Sequence, residues 1–235
     1  MKILGLDSSG LVAGVAVVED DILVAEYTTN YKKTHSQTLL PMLDELRNMI
    51  ELDLNTLDAI AVASGPGSFT GLRIGAATAK GLGLGLNKPL VEVPTLEGLA
   101  WNLCGSDRLV CPLMDARRNQ VYGAAYEFIP TQDSFCLRTV IPQGAAEVGV
   151  LMEQLTELAR PVIFLGDGVP VYRNIINEKC NVPYAFAPAC NNRQRAASVA
   201  ALGGVYYRQG RTVSAAEHSP EYLRKSQAER EAEQK

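Results

Sequence analysis

Residues 59–75 read AIAVASGPGSFTGLRIG, and this stretch decides the fold. An unbroken apolar run typical of a buried strand leads into a Gly-Pro-Gly turn, after which the spacing becomes helical. Ser68 and Thr70 are both placed to cap the new helix. A helix that begins directly after a glycine-rich turn presents free backbone N–H groups and the positive end of its dipole, so it can hold an anion.

The predicted helix, which extends to Leu86, is rich in glycine. Each glycine in a helix interior costs about 0.5–1 kcal/mol relative to alanine. Close approach of another backbone would offset that cost. The segment therefore predicts either a phosphate cradle or a tight helix-packing surface, and the glycines concerned are Gly71, Gly75, Gly81, Gly83 and Gly85.

Composition and charge narrow the class of protein. The 235 residues are 47% hydrophobic and 20% charged, which is ordinary for a globular protein of one large or two small domains. The net charge of −4 argues against autonomous nucleic-acid binding. One segment leans basic, with no acid among its arginines, and is either a solvated helix face or an RNA-facing patch: Arg193, Arg195, Arg208 and Arg211.

The cysteines and the hydropathy pattern predict a cytoplasmic protein. The five cysteines are Cys104, Cys111, Cys136, Cys180 and Cys190. An odd number without a Cys-x-x-Cys pair favours neither a zinc site nor a disulfide framework, and we expect Cys104 and Cys111 to be buried, inert thiols. Neither a signal peptide nor a run of about 20 apolar residues is recognisable, so we expect no membrane association.

The pattern of elements predicts two halves, residues 1–106 and residues 107–235. In the first half we predict strands over residues 2–7, 11–18, 22–28 and 59–63. We predict helices over residues 36–50 and 96–103, and a glycine-rich helix that is capped near Ser68 or Thr70 and ends at Leu86. In the second half we predict strands over residues 109–115, 120–127, 134–141 and 162–165, helices over residues 145–158 and 196–207, and a charged tail after Leu223. Each half is a strand meander followed by alternating helix and strand.

Two segments resemble known families. Asp7-Ser8-Ser9-Gly10, at the end of the first strand, resembles the first phosphate loop of the actin, Hsp70 and sugar-kinase ATPase superfamily. The run from Ser64 to Gly75 resembles one family of this superfamily, the bacterial tRNA threonylcarbamoyladenosine biosynthesis proteins TsaB. Supporting motifs are His35-Ser36, Leu39-Leu40-Pro41, Val93-Pro94-Thr95-Leu96-Glu97-Gly98-Leu99, Met114-Asp115-Ala116-Arg117 and Pro220-Glu221-Tyr222-Leu223-Arg224.

This resemblance implies a fold and a role. The fold is an α/β, actin-like and ribonuclease H-like (ASKHA) architecture of two related lobes, with mixed sheets flanked by helices. The role is that of a non-catalytic subunit in the transfer of threonylcarbamoyl to N6 of adenosine 37, in tRNAs that read codons beginning with A. The implied partners are a TsaD-like catalytic subunit, a TsaE-like P-loop ATPase and, through the complex, tRNA. Alone, the protein would form a homodimer. The alternative is a stand-alone actin-like nucleotide hydrolase or peptidase.

The resemblance also implies that this chain has no metal centre. The TsaD-type paralogue carries His-x-x-x-His, whose imidazoles lie one helical turn apart and can share a metal. The corresponding positions here are Thr95 and Leu99, and the two histidines of the chain, His35 and His218, lie far from that segment in the sequence. We therefore expect no bound metal and no catalytic residue.

Six residues are candidates for contact with a nucleotide. The nucleotide would bind to this chain alone or, as ATP or ADP, at the interface of a complex. Asp7 could orient a water or a nucleotide-bound magnesium, or it could only cap the hairpin turn. The turn at residues 166–168 resembles the adenosine-side glycine turn, or it is a plain strand-to-helix connection. At Asp115 the second phosphate loop lacks the expected glycines, which argues against hydrolysis. The candidates are Asp7, Ser8, Ser9, Gly166, Asp167 and Gly168.

Two helices predict an interface. The first carries a wide apolar stripe, and the second carries small residues at spacings of four, which let two helices pack closely. In the family these helices form a junction with TsaD or with a second copy of the protein. The residues concerned are Leu39, Met42, Leu43 and Leu46 on the first helix, and Gly71, Gly75 and Ala79 on the second.

Overall fold

The computed structural model describes residues 1–31 and 34–224 and arranges their strands in two five-stranded mixed sheets. The first sheet has the order β3-β2-β1-β4-β5; β1 to β3 form an antiparallel meander, and β4 and β5 run parallel to β1. Its strands are β1 (Lys2–Asp7), β2 (Ala13–Glu19), β3 (Ile22–Thr29), β4 (Ala59–Gly65) and β5 (Leu90–Pro94). The helices of this part are α1 (His35–Met49), α2 (Phe69–Leu86) and α3 (Thr95–Trp101).

The second sheet repeats the first, strand for strand. Its order is β8-β7-β6-β9-β10, again an antiparallel meander joined to parallel strands. The strands are β6 (Leu109–Asp115), β7 (Gln120–Pro130), β8 (Phe135–Glu147), β9 (Val162–Leu165) and β10 (Tyr184–Phe186). The helices are α4 (Val148–Leu158), α5 (Gly168–Lys179) and α6 (Ala196–Arg208). The duplicated topology confirms the predicted actin-like fold of two related lobes.

Alternation along the strands explains how helices cover both faces of each sheet. In β4, Ile60 and Val62 face α1 and α2, whereas Ala59, Ala61 and Ala63 face α6. In the second lobe, α4 and α5 cover one face, and α3 covers the other through Leu96 and Leu99. Helices α3 and α6 therefore lie between the two sheets, where Ser198 Oγ donates a hydrogen bond of 2.6 Å to Asn102 Oδ1.

The last helix changes the predicted division of the chain. We placed residues 107–235 in the second lobe, but α6 packs on the first sheet, and Val199, Ala200 and Leu202 share a core with Ile3 and Val91. The first lobe is thus built from both ends of the described chain. Of the charged tail predicted after Leu223, only Arg224 is among the described residues, and residues 225–235 lie outside them.

Most predicted elements agree with the structure to within a few residues, but helix α5 and two short strands, β5 and β10, were missed. Helix α5 begins with Gly168 and Pro170 and has many β-branched residues, so its helical period is weak. Strands β5 and β10 are only five and three residues long. Helix α4 starts at Val148 rather than near residue 145, because residues up to Glu147 continue β8.

Substitution of two glycines of α2 by alanine should change the free energy of unfolding in opposite directions. A methyl group on Gly71 would overlap the backbone carbonyl of Ser8, whereas a methyl group on Gly81 meets nothing within 4 Å. We therefore expect Gly71→Ala to lower the free energy of unfolding by about 1–3 kcal/mol. We expect Gly81→Ala to raise it by about 0.5–1 kcal/mol, through helix propensity. Urea titration of both variants measures the difference, and equal effects would contradict this packing.

Candidate functional site

The first loop is closed by its own side chains. Asp7 is buried, and its Oδ1 accepts hydrogen bonds from the Ser9 N–H at 2.8 Å and the Ser9 hydroxyl at 2.7 Å. Burial raises the pKa of the Asp7 carboxyl above its usual range. Asp7 thus caps the hairpin turn, the second of the two roles that the sequence allowed.

Helix α2 and the Gly-Pro-Gly turn press directly on this loop. The Ser68 N–H donates to the Ser9 carbonyl at 2.7 Å, and the Ser8 hydroxyl donates to the Gly71 carbonyl at 2.8 Å. A Cβ on Gly75 would lie 2.7 Å from Ser8 Oγ. These contacts identify the inner glycines as a packing surface, where the close approach of two backbones offsets their helix cost.

A cleft of about 520 Å³ lies between the lobes, beside the closed loop. From the first lobe it is lined by Ser9, Phe69 and Thr70, and from the second by Asp115, Arg117 and Asp167, among others. Of the six nucleotide candidates, Ser9 and Asp167 line this cleft. Asp7 and Ser8 are buried behind it.

The second loop is unsuited to cradle a phosphate. Asp115 Oδ1 accepts hydrogen bonds from the Tyr172 hydroxyl at 2.9 Å and from the Arg117 N–H at 2.8 Å. Arg117, Arg118 and Asn119 follow with φ of 60°, 56° and 61°, a left-handed turn built from bulky residues where glycine would be expected. Glycine, which lets a backbone approach a phosphate closely, is absent from these three positions.

The turn at residues 166–168 supports β6. Gly166 has φ of 107°, its N–H donates to the Asn192 carbonyl at 3.0 Å, and a Cβ there would overlap the Leu113 carbonyl. Asp167 is half-buried, burial raises the pKa of its carboxyl, and its Oδ1 has no hydrogen-bond partner among the described residues. The glycines thus have a packing role, and Asp167 alone of the three lines the cleft.

The superfamily implies a nucleotide in this cleft, and the residues present do not fit a triphosphate. The Ser8 and Ser9 hydroxyls donate inside the protein, and Asp7 is closed off from the cleft by Ser9.

The positions that correspond to the paralogue's histidines are occupied by structural residues. Thr95 is buried, and its hydroxyl accepts a hydrogen bond of 3.1 Å from the Gly65 N–H, which fixes the start of the Gly-Pro-Gly turn. Leu99 lies in the core between α3 and the second sheet. In residues 1–31 and 34–224, no three His, Cys, Asp or Glu side chains are grouped closely enough to hold a metal.

The two histidines also make structural contacts. His35 Nε2 lies 2.8 Å from the Gly10 carbonyl and ties α1 to the first loop. His218 is buried, with Nδ1 2.6 Å from Glu92 Oε1.

The basic segment is used within the chain. Arg195 pairs with Glu26 at 2.5 Å, and Arg208 pairs with Asp21 at 3.2 Å. Arg193 donates to the Gly166 carbonyl at 2.9 Å, and the Arg211 guanidinium lies 3.5 Å from the centre of the Tyr206 ring. All four arginines thus contact other residues of the same chain.

The seven residues predicted to form the interface are instead buried within the chain. On α1 they join the core beneath the helix, and on α2 they face the first loop and β4. All seven are covered within one copy of the chain: Leu39, Met42, Leu43, Leu46, Gly71, Gly75 and Ala79. The outward faces of α1 and α2 are therefore the parts of these helices that a partner could contact.

A second row of small residues occupies the outward face of α2. Ala77, Gly81 and Gly85 are exposed at spacings of four, and beside them Leu84 is 65% exposed. On the neighbouring α1, Leu40 and Met49 are 53% and 75% exposed. The sequence contains both rows, at 71-75-79 and 77-81-85, but spacing alone does not tell which row faces the sheet.

The buried Asp7 predicts a pH dependence. Because its pKa is raised in the folded state, the folded protein holds a proton that the unfolded chain releases above its ordinary pKa of 3.8. This group therefore makes stability fall as pH rises from 3.8 towards the folded pKa. In Asp7→Asn the amide oxygen can accept the same bonds, so we expect a folded protein that lacks this fall, as measured by urea titration between about pH 4 and 7.

Asp53 is a matched control, because its carboxyl should change stability with pH in the opposite direction. Hydrogen bonds from the Asn55 N–H and side chain lower the pKa of the exposed Asp53 carboxyl, so its contribution to stability is lost as pH falls. Asp53→Asn should remove that acid-side loss. An Asp7→Asn protein with an unchanged pH profile would contradict the burial of a titrating carboxyl.

None of the helices within the described part of the chain is both long enough and apolar enough to span a bilayer.

Comparisons with known proteins agree with this geometry. The family model described as "TsaD: tRNA N6-adenosine threonylcarbamoyltransferase" matches residues 23–232. The chain is 34% identical to the tRNA threonylcarbamoyladenosine biosynthesis protein TsaB of Bacillus subtilis (strain 168), over 97% of this chain and 96% of the relative. It is 27% identical to the protein of the same name from Escherichia coli (strain K12), with the same coverage of both chains.

The solved structures include YeaZ from Pseudomonas aeruginosa, with a TM-score of 0.76 and 25% identity over 94% of this chain and 99% of that one. A second structure, titled as a protein from the same organism with similarity to peptidase YEAZ, has a TM-score of 0.80 and 26% identity over 95% and 99% of the two chains. The chain therefore belongs to the TsaD family and, within it, to the TsaB proteins of tRNA threonylcarbamoyladenosine biosynthesis.

Proposed function

We propose that this chain is a non-catalytic subunit of the complex that transfers threonylcarbamoyl to N6 of adenosine 37, in tRNAs reading codons that begin with A. Its direct partner is a TsaD-like catalytic subunit. A TsaE-like P-loop ATPase and the tRNA join through the assembled complex, and the free protein forms a homodimer. Membership of the TsaB group supports the pathway, and the structure of the outward helix faces supports the role of a binding partner.

The observation that carries the proposal is the open face of α2. Cβ atoms built on Gly81 and Gly85 meet nothing within 4 Å, and Ala77 continues the row. The helix thus lacks side-chain bulk along one stripe, although each of these glycines costs helix stability. A second helix seated on this stripe would offset that cost, with Leu84 and Leu40 covered at its edges.

Contacts within the chain favour this role over a stand-alone hydrolase or peptidase. The carboxyl that would serve as a base, Asp7, is enclosed by Ser9, and Thr95 and Leu99 hold the places of the paralogue's histidines. Catalytic groups would therefore come from the partner.

The same reasoning applies to nucleotide. ATP or ADP bound to the complex would lie at the interface between subunits and would be held by phosphate-binding groups of the partner. In the first loop of this chain, the serine hydroxyls already donate hydrogen bonds within the protein.

The open stripe predicts a separation of assembly from stability. Gly81→Leu should abolish the homodimer and the complex with the TsaD-like subunit, because the new side chain fills the space for a partner backbone. The free energy of unfolding of the monomer should be unchanged or raised, since helix propensity improves by about 0.5–1 kcal/mol, and the comparison is made at concentrations where both proteins are monomeric. Size-exclusion chromatography with light scattering measures assembly, and reconstituted tRNA modification should be lost in parallel.

Two control substitutions make the test specific. Gly144→Leu places the same side chain in open space on β8 of the other lobe and should leave assembly intact. Gly75→Leu should unfold the protein instead, because that position faces Ser8 in the core. A Gly81→Leu protein that assembles and supports modification normally would place the interface elsewhere.

A further inference from the structure

The chain from Val213 to Arg224, here called the strap, follows α6 and runs from the first lobe to the second. Its first part is firmly anchored. Val213 pairs with Leu90 through two backbone hydrogen bonds of 2.9 Å, and Ala215 enters the core of the first lobe. Lys80 Nζ donates to the carbonyls of two strap residues, one of them His218 at 2.9 Å.

The middle of the strap lies against the Gly-Pro-Gly turn. The Glu221 N–H donates to the Ser64 carbonyl at 2.7 Å. Gly65 has φ of 127°, and a Cβ there would overlap the Glu221 carbonyl. The turn therefore needs glycine at residue 65 partly to admit the strap.

The end of the strap reaches across the cleft. Tyr222 stacks on Phe69, the first residue of α2, with ring centres 4.2 Å apart. Arg224 donates to the Ala116 carbonyl in the second loop at 2.6 Å, and Gln143 Nε2 of β8 donates to Glu221 Oε2 at 2.9 Å. Phe69, Ala116 and Arg224 all line the cleft.

The two ends of the strap differ in burial. The anchor includes His218, which is 2% exposed and paired with Glu92. At the other end the contacts to the second lobe are less buried: the Gln143–Glu221 pair is solvent-exposed, and the Arg224–Ala116 hydrogen bond is partly buried. Hydrogen bonds at an exposed site are readily exchanged for water, whereas a buried pair is costly to break. The contacts to the second lobe will therefore release first.

The two lobes are also joined at a second place, here called the base, about which they could part. There α3 and α6 pack together, and Asn102 Nδ2 donates to the Arg193 carbonyl at 2.6 Å and the Asn191 carbonyl at 3.1 Å. The connections 102–108 and 187–195 also run between the lobes at this base. The lobes are thus joined at the base and held by the strap beside the cleft.

We propose that residues 221–224 are a releasable latch that holds the two lobes closed over the cleft. With the latch seated, Arg224 fixes the second loop relative to the Gly-Pro-Gly turn. With it released, the lobes part about their base and the cleft opens. This inference concerns the free chain and does not depend on the proposed function.

The test measures the distance between the lobes. Spin labels on native Cys136 of β8 and on Ile22→Cys of β3, an exposed position away from the outward faces of α1 and α2, report it by double electron–electron resonance. The background carries Cys104→Ser and Cys190→Ser, and labelled chain is diluted with unlabelled chain so that a homodimer holds one labelled copy. Cys111 and Cys180 are buried and, because burial raises the pKa of both thiols, should label poorly. The seated latch should give one narrow distance distribution. Tyr222→Ala with Arg224→Met should add a longer distance, with an open population increased roughly fivefold, the factor carried by about one net hydrogen bond.

A matched pair of substitutions removes the same side chains elsewhere. Tyr31→Ala with Arg208→Met alters an exposed tyrosine and an arginine paired with Asp21, and should leave the distribution unchanged. Arg224→Met alone keeps the aliphatic stem and supplies the test if the double variant loses thermal stability. Latch variants whose distributions match those of the control pair would overturn the proposal.

Discussion

The contact between the first loop and the start of α2 is the constraint on which the rest of the structure depends. The Ser8 hydroxyl donates to the Gly71 carbonyl, and the Ser68 N–H donates to the Ser9 carbonyl. The two backbones lie so close that a Cβ on Gly71 would overlap the Ser8 carbonyl. This contact encloses Asp7, and the hydroxyls of Ser8 and Ser9 donate their hydrogen bonds within the protein. It also fixes which face of α2 turns inward. A segment shaped like an anion cradle thereby becomes a joint between a hairpin and a helix.

Fixing α2 in this orientation determines what its remaining glycines can do. Gly71 and Gly75 recover their helix cost through packing inside the chain, whereas Gly81 and Gly85 face open space. Helix propensity alone would disfavour them there. An uncovered stripe of this kind is suited to another helix, which links a feature of backbone packing to the proposed role as a subunit. The second loop agrees with that role, because Arg117 and Arg118 stand where a phosphate-binding loop would need small residues.

The sequence predicted much of this architecture, because the strands and the longer helices have clear periods. Strands β1, β6 and β9 begin and end at the predicted residues, and the meander in each lobe pointed to duplication. Helix α5, with Gly168 and Pro170 in its first turn, gave too weak a signal. The return of α6 to the first sheet was also hidden, since an alanine-rich helix such as residues 196–208 can pack against either lobe.

The candidate site could be predicted only in part. Ser9 and Asp167, two of the six residues proposed for nucleotide contact, line the cleft between the lobes, whereas only the structure shows that Asp7 is enclosed. The two small-residue rows on α2 follow the same spacing, and their assignment to the inward or outward face depends on Ser8, more than 60 residues away in the chain. The central claim is that the first loop is a packing joint, and NMR titration of the free chain with Mg²⁺ and ATP tests it most directly. We expect the amide signals of residues 7–10, 65 and 67–71 to stay unshifted. Saturable shifts of these signals that Asp7→Asn abolishes would contradict a packing joint.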